Sequence, residues 1–129
     1  MSTLRKKTNK KTILVAENDE AISKAISQLL ENARYVADPI IDGLKIISRV
    51  KKTLPALLLL DVSMPGVDGY DICKQLKENE RVRHIPIIMM SANKDIKKMA
   101  KEAGANDFVA KPFDIFDLLH KIKKHVVYT

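Results

Sequence analysis

Five short apolar runs, each followed by a stretch with helical apolar spacing, limit what this chain can fold into. Thr12–Ala16 (TILVA) reads as a first strand. Ile22, Ala25, Ile26 and Leu29 then fall at i, i+3, i+4 and i+7, one face of a helix. Tyr35–Pro39 reads as a weaker second strand, and Pro39, which has no N–H to share, suits an edge position. Leu44, Ile47, Val50 and Leu54 predict a second helix. Ala56–Leu60 predicts a third strand, apolar without alternation, as expected when both faces are covered. Ile72, Cys73 and Leu76 mark a third helix with Cys73 as a core residue, and Ile85–Met90 a fourth strand. Ile96, Met99, Ala100 and Ala103 give a fourth helix, stopped by Gly104. Asp107–Ala110 predicts a short fifth strand, and Ile115, Leu118, Leu119, Ile122 and Val126 line a last helix.

Strand–helix units recurring at roughly 22 residues predict an α/β fold, an open doubly wound parallel sheet with helices on both faces. Such folds place their sites beyond the carboxyl ends of the strands, where strand order reverses. Glu17, Asn18 and Asp19 follow the first strand, Asp61 the third, Ser91 the fourth and Lys111 the fifth. Acids, a hydroxyl and a lysine brought together suit a metal ion and a phosphoryl group. A carboxylate can attack phosphorus to form an aspartyl phosphate. Mg²⁺ on carboxylate oxygens neutralises charge on phosphorus, and a lysine pairs with a phosphoryl oxygen. Asp61 therefore closes the most apolar run, LLLLD, because the strand fixes its position while its oxygens stay reachable.

With 129 residues, 46% of them apolar, the chain suits one domain with one core. The net charge of +7 raises the question of nucleic acid. Arg5, Lys6, Lys7, Lys10 and Lys11 crowd the start, where no acid precedes Glu17. No aromatic residue interleaves them and no reading helix is evident, so residues 1–10 are expected to be a basic flexible tail and 11–129 the folded domain. Direct nucleic-acid binding is not expected. A single cysteine, Cys73, agrees with a reducing compartment. No apolar run approaches the ~18 residues that span a bilayer. Together these features predict a cytoplasmic domain without membrane contact.

Four pieces, ILVAENDE, LLLLDVSMPGVDGYDICKQL, IPIIMMSA and GANDFVAKPF, appear in an order and spacing similar to the response-regulator receiver domains of two-component signalling. The resemblance runs from about Lys11 to Val126. It implies a flavodoxin-like (βα)5 fold, like that of chemotaxis regulators, with strand order 2-1-3-4-5. It also implies Asp61 as phosphoacceptor, Ser91 as switch hydroxyl, Lys111 as phosphoryl partner, Phe108 as switch aromatic and a cis bond at Lys111–Pro112. Ala92 matches a small position governing access to the phosphoryl group. Mg²⁺ would be held by Glu17, Asn18, Asp61 and the backbone carbonyl of Ser63. The implied partners are a histidine kinase or phosphotransfer protein, and a downstream protein target engaged through helix 4, strand 5 and helix 5.

The chain departs from the pattern at one site residue. The family places two adjacent acids after the first strand, whereas this chain has Glu17 and then Asn18. That exchange removes one formal charge and is expected to weaken Mg²⁺ binding. Asp19 suits the start of the first helix.

Three function classes compete: a phosphoaccepting receiver, a degenerate receiver acting as a binding module, and an enzyme on a similar fold. Only Asn18 favours the second. A haloacid-dehalogenase-type phosphatase would place an acid where Ser63 stands, and a flavodoxin would have a hydroxyl- and glycine-rich loop in place of ENDE. Self-phosphorylation and autodephosphorylation at one aspartate are therefore the only chemistry expected. Lys111 and Ser91 are expected at the rim of the sheet, mattering more for response than for folding. Asp68 and Gly69 read as turn and helix-start residues. His84, His120 and His125 read as surface residues, and Lys94, Lys97, Lys98 and Lys101 as a basic stripe on the fourth helix.

Overall fold

The computed structural model describes residues 10–126, so the predicted tail, apart from Lys10, lies outside the described residues. The strands are β1 (Thr12–Ala16), β2 (Val36–Ile40), β3 (Leu57–Asp61), β4 (Ile87–Ser91) and β5 (Asp107–Ala110). They form one sheet in the order β2-β1-β3-β4-β5, with every neighbouring pair parallel. The helices are α1 (Glu20–Asn32), α2 (Ile46–Thr53), α3 (Gly69–Glu78), α4 (Ile96–Ala103) and α5 (Ile115–His125).

Side chains alternate across the sheet, so each central strand feeds two cores. Leu14, Leu58, Leu60, Ile87 and Met89 pack with Val50 of α2, Leu76 of α3 and Ala100 of α4. Ile13, Val15, Leu57, Leu59, Ile88 and Met90 pack with Ile26 and Leu30 of α1 and Leu118 and Ile122 of α5. Leu57–Leu60 are all fully buried, and burying each such side chain contributes about 2 kcal/mol. This two-sided burial is why the run shows no alternation.

Aspartate side chains cap three of the α-helices. The Asp19 carboxylate accepts from the Ala21 and Ile22 N–H groups, Asp68 from Tyr70, and Asp114 from Phe116 and Asp117. At the other end of α4, Gly104 takes the left-handed conformation (φ 83°) that a side chain resists.

Several boundaries differ from the sequence expectation by one or two residues. β3 runs one residue further and takes in Asp61, whose backbone pairs with Met90. β4 begins at Ile87, after Pro86, which has no N–H to offer a ladder. The predicted face of the second helix is wrong at both ends. Asp42 caps a short 3-10 turn at Gly43–Lys45, and Leu54 ends α2 in a left-handed conformation (φ 48°). Both ends thus leave the α-helical phase, so Ile46 and Val50 are buried while Leu44 and Leu54 are 76% and 50% exposed. The α1 face is likewise rotated onto Ser23, Ile26 and Leu30, with Ala25 exposed, and Ile115 lies outside the buried face of α5.

Gly69 fixes the loop beneath Asp61. A Cβ there would lie 2.6 Å from the Val62 Cα and 3.1 Å from the Asp61 carbonyl oxygen. Gly69 N–H also donates to the Val62 carbonyl at 3.1 Å. Gly69→Ala is expected to push this loop away and destabilise the domain by about 2 kcal/mol, read as a lower denaturation midpoint in urea. An unchanged midpoint would show that the loop yields freely.

Candidate functional site

The carboxyl ends of β1, β3, β4 and β5 bring Glu17, Asp61, Ser91 and Lys111 to one end of the sheet. The Lys111 Nζ lies 2.6 Å from Glu17 Oε1 and 3.3 Å from Asp61 Oδ2. One ammonium thus joins two carboxylates that sit only 1% and 4% exposed. Asp61 Oδ1 accepts from the Ser63 N–H (3.1 Å), which orients the carboxylate. Ser91 is buried, and its Oγ accepts from the Asn93 N–H at 3.0 Å, leaving the hydroxyl proton to donate elsewhere. Lys111 N–H donates to the Ser91 carbonyl (2.8 Å), tying β5 to β4 at the site. The Lys111–Pro112 peptide bond is cis.

The charges explain one another. Burial pushes the Glu17 carboxyl above its ordinary 4.5; Lys111 and the Asp19 N–H pull it down, while Asp61 pushes it further up. Burial alone would lower the Lys111 ammonium, but Glu17 and Asp61 outweigh burial and hold it above 10.5. Lys111 therefore stays charged across the physiological range, and its contribution is lost only as pH rises through that raised value.

Asn18 is exposed beside Glu17, and Asp19 is committed to capping α1. Among the described residues no three acidic, histidine or cysteine side chains are grouped to hold a metal ion. The donors brought together are hard oxygens, the carboxylates of Glu17 and Asp61. That set fits Mg²⁺, which binds through one or two carboxylates and keeps several waters.

Ser91 and Lys111 lie at the rim of the sheet, as expected, but deeper than an expectation of little cavity on truncation allows. Ser91 is 3% exposed and the Lys111 side chain 19%, the lysine facing the two buried carboxylates. Phe108 is half-buried on β5 and packed against the α2–α4 core. The lysines at 94, 97, 98 and 101 are exposed on and before α4. His84 and His120 are exposed, but His125 is half-buried with its Nε2 2.9 Å from Asp107 Oδ2. Sequence reading missed that pair, and it missed Lys121, which lies between the same aspartate and Phe108. Residues 13 to 18 positions apart carry no periodic signal. A groove lined by Lys11, Pro55, His84 and His125 lies at the opposite ends of the strands, away from this chemistry.

The model of the response regulator receiver domain matches residues 13–123. The chain belongs to the response regulator receiver domain family. It is 34% identical over 113 residues to the DNA-binding dual master transcriptional regulator RpaA of Synechocystis sp., covering 86% of this chain and 47% of that protein. A putative response regulator from Chloroflexus aurantiacus is 32% identical with a TM-score of 0.85, covering 92% of this chain and 98% of that one. The receiver domain of the sensor histidine kinase PA1611 from Pseudomonas aeruginosa, 25% identical with a TM-score of 0.82, covers 91% and 98%. That receiver domain has a magnesium ion coordinated in its active site cleft. The chain spans about half or less of the length of the curated relatives it matches. As a receiver domain it has the flavodoxin-like strand order that the family resemblance implies. Receiver domains work with histidine kinases or phosphotransfer proteins in two-component signalling. Among the described residues no helix is long and apolar enough to cross a membrane.

Proposed function

We propose that Asp61 takes a phosphoryl group from a phosphohistidine partner, and that the charge change at this site resets the α4–β5–α5 surface for a downstream protein. The observation that carries this reading is the Lys111 ammonium held between Glu17 and Asp61 at 2.6 and 3.3 Å. An Asp61 oxygen attacks phosphorus, the phosphorus–nitrogen bond of the donor breaks, and the departing imidazole takes up a proton. Lys111 moves its contact from the carboxylate to a phosphoryl oxygen, and the Ser91 hydroxyl donates to another. Water later attacks phosphorus, releasing phosphate and restoring the carboxylate, so the chain itself is the substrate of this chemistry.

Glu17, Asn18, Asp61 and the Ser63 carbonyl would hold Mg²⁺, which when bound supplies the positive charge that phosphoryl oxygens need. Treatment with acetyl phosphate and Mg²⁺, read by intact mass, tests the reading. One added phosphoryl group, absent when the metal is chelated, is expected. No mass gain from any small donor would instead favour a phosphorylation-independent binding module, the reading that Asn18 alone supports.

Asn18 sets the metal affinity. An Asn18→Asp variant would crowd a third anionic group beside Glu17 and Asp61, so without metal it is expected to melt several degrees below wild type. Each millimolar step of Mg²⁺ should raise its midpoint more than that of wild type, narrowing the gap by mass action. Thermal melts across a Mg²⁺ titration measure this. Equal shifts in the two proteins would mean that residue 18 is not a ligand.

A further inference from the structure

β5 is an edge strand, and one residue of α5 reaches around that edge to the aromatic ring on its far side. Lys121 Nζ donates to the Phe108 carbonyl at 2.7 Å and sits 4.9 Å from the centroid of the Phe108 ring. The ring packs with the α2–α4 core, whereas the neighbouring helical residues Leu118 and Ile122 belong to the α1–α5 core. Lys121 is therefore a strap between the two layers. Its position is itself fixed, with Asp107 Oδ1 at 3.9 Å and Asp117 Oδ2 at 3.6 Å. His125 holds Asp107 from the other side at 2.9 Å. Burial pushes the Asp107 carboxyl up, but His125, the Phe108 N–H and Lys121 outweigh it, leaving it below its ordinary 3.8 and charged as Lys121 requires.

We infer that Lys121 is a positioning residue for the receiver reaction, holding Phe108 in its resting place and thereby biasing the site against the switched state. The inference rests on the proposed roles of Asp61 and Phe108. Phe108 stands three residues before Lys111 on one extended strand, about 10 Å away. The same strand end carries the Lys111 N–H bond to Ser91, so the ring and the phosphoryl-binding groups share one rigid element. A contact made only in the resting state must be given up when the ring moves. By linkage, whatever favours the resting ring weakens anything that binds the switched site.

The chain has three phenylalanines, Phe108, Phe113 and Phe116, so fluorophenylalanine labelling gives three signals that Phe113→Tyr and Phe116→Tyr assign. In Lys121→Met the Phe108 signal alone is expected to change its solvent-isotope shift, reporting altered exposure of the ring. Apparent affinity for beryllofluoride with Mg²⁺, a phosphoryl mimic, should rise about fivefold, the scale of one lost cation–π contact. Lys121→Arg should restore both readings. His125→Gln, which disturbs Asp107 but leaves the lysine and the ring in place, should change both readings by clearly less than Lys121→Met.

An unmoved Phe108 signal in Lys121→Met, or equal effects from His125→Gln, would overturn the inference and leave Lys121 as an edge-covering ion pair. Failure of wild type to bind beryllofluoride would instead count against the Asp61 reading. The fluorine signal, which needs no ligand, would then decide the role of Lys121 on its own.

Discussion

Asp61→Asn is expected to gain no phosphoryl group from acetyl phosphate while remaining at least as stable as wild type at pH 7. An amide is not a nucleophile toward phosphorus at neutral pH, yet its oxygen can still accept from the Ser63 N–H that orients Asp61. The fold keeps that hydrogen bond and gives up only the longer, 3.3 Å contact of Asp61 with Lys111. The electrostatics improve, because Asp61 is one of the groups that push Glu17 upward, and Lys111 keeps its shorter contact to Glu17. Intact mass after donor treatment and a thermal melt report the two halves separately. Phosphate uptake at the wild-type rate would remove Asp61 from its role. A marked fall in melting temperature would show that the carboxylate is held for structure.

Lys111→Ala is expected to abolish the response to phosphorylation and also to destabilise the domain by about 2 kcal/mol at pH 7. Losing one partner of a buried ion pair leaves the other uncompensated, and Glu17 is 1% exposed. The cost falls below that of a fully enclosed pair because Lys111 retains 19% exposure and Glu17 can take up a proton. The pH dependence has a definite sign. A carboxyl raised above 4.5 by burial favours the folded state when protonated. The deficit of the variant should thus be small below pH 4.5 and grow as pH rises through the folded-state value of Glu17. Urea midpoints of both proteins across that window test it. A deficit independent of pH would mean that Lys111 acts through packing of its stem.

The strands and the convergence of Glu17, Asp61 and Lys111 were legible in the sequence because both depend on local order. LLLLD announces a two-sided strand, and each polar residue that ends a strand must converge in a parallel sheet. What escaped depends on geometry that spacing does not carry. The phase of α2 was lost where Asp42 and Leu54 impose non-helical turns on an apolar pattern that looks continuous. The depth of Lys111 was misjudged because a strand end reads as exposed until partner carboxylates close on it. Lys121, Asp107 and His125 meet only after α5 folds back along β5. A lysine and a histidine on a charged helix look like solvent-facing residues until then.

The location of the phosphoryl group tests the account most directly. Wild-type protein treated with acetyl phosphate and Mg²⁺, then reduced with borohydride, carries homoserine wherever an aspartyl phosphate had formed. Peptide mapping is expected to find homoserine at position 61 and at no other aspartate. Homoserine at Asp19 or Asp68, or a phosphate that borohydride does not remove, would contradict the assignment of Asp61.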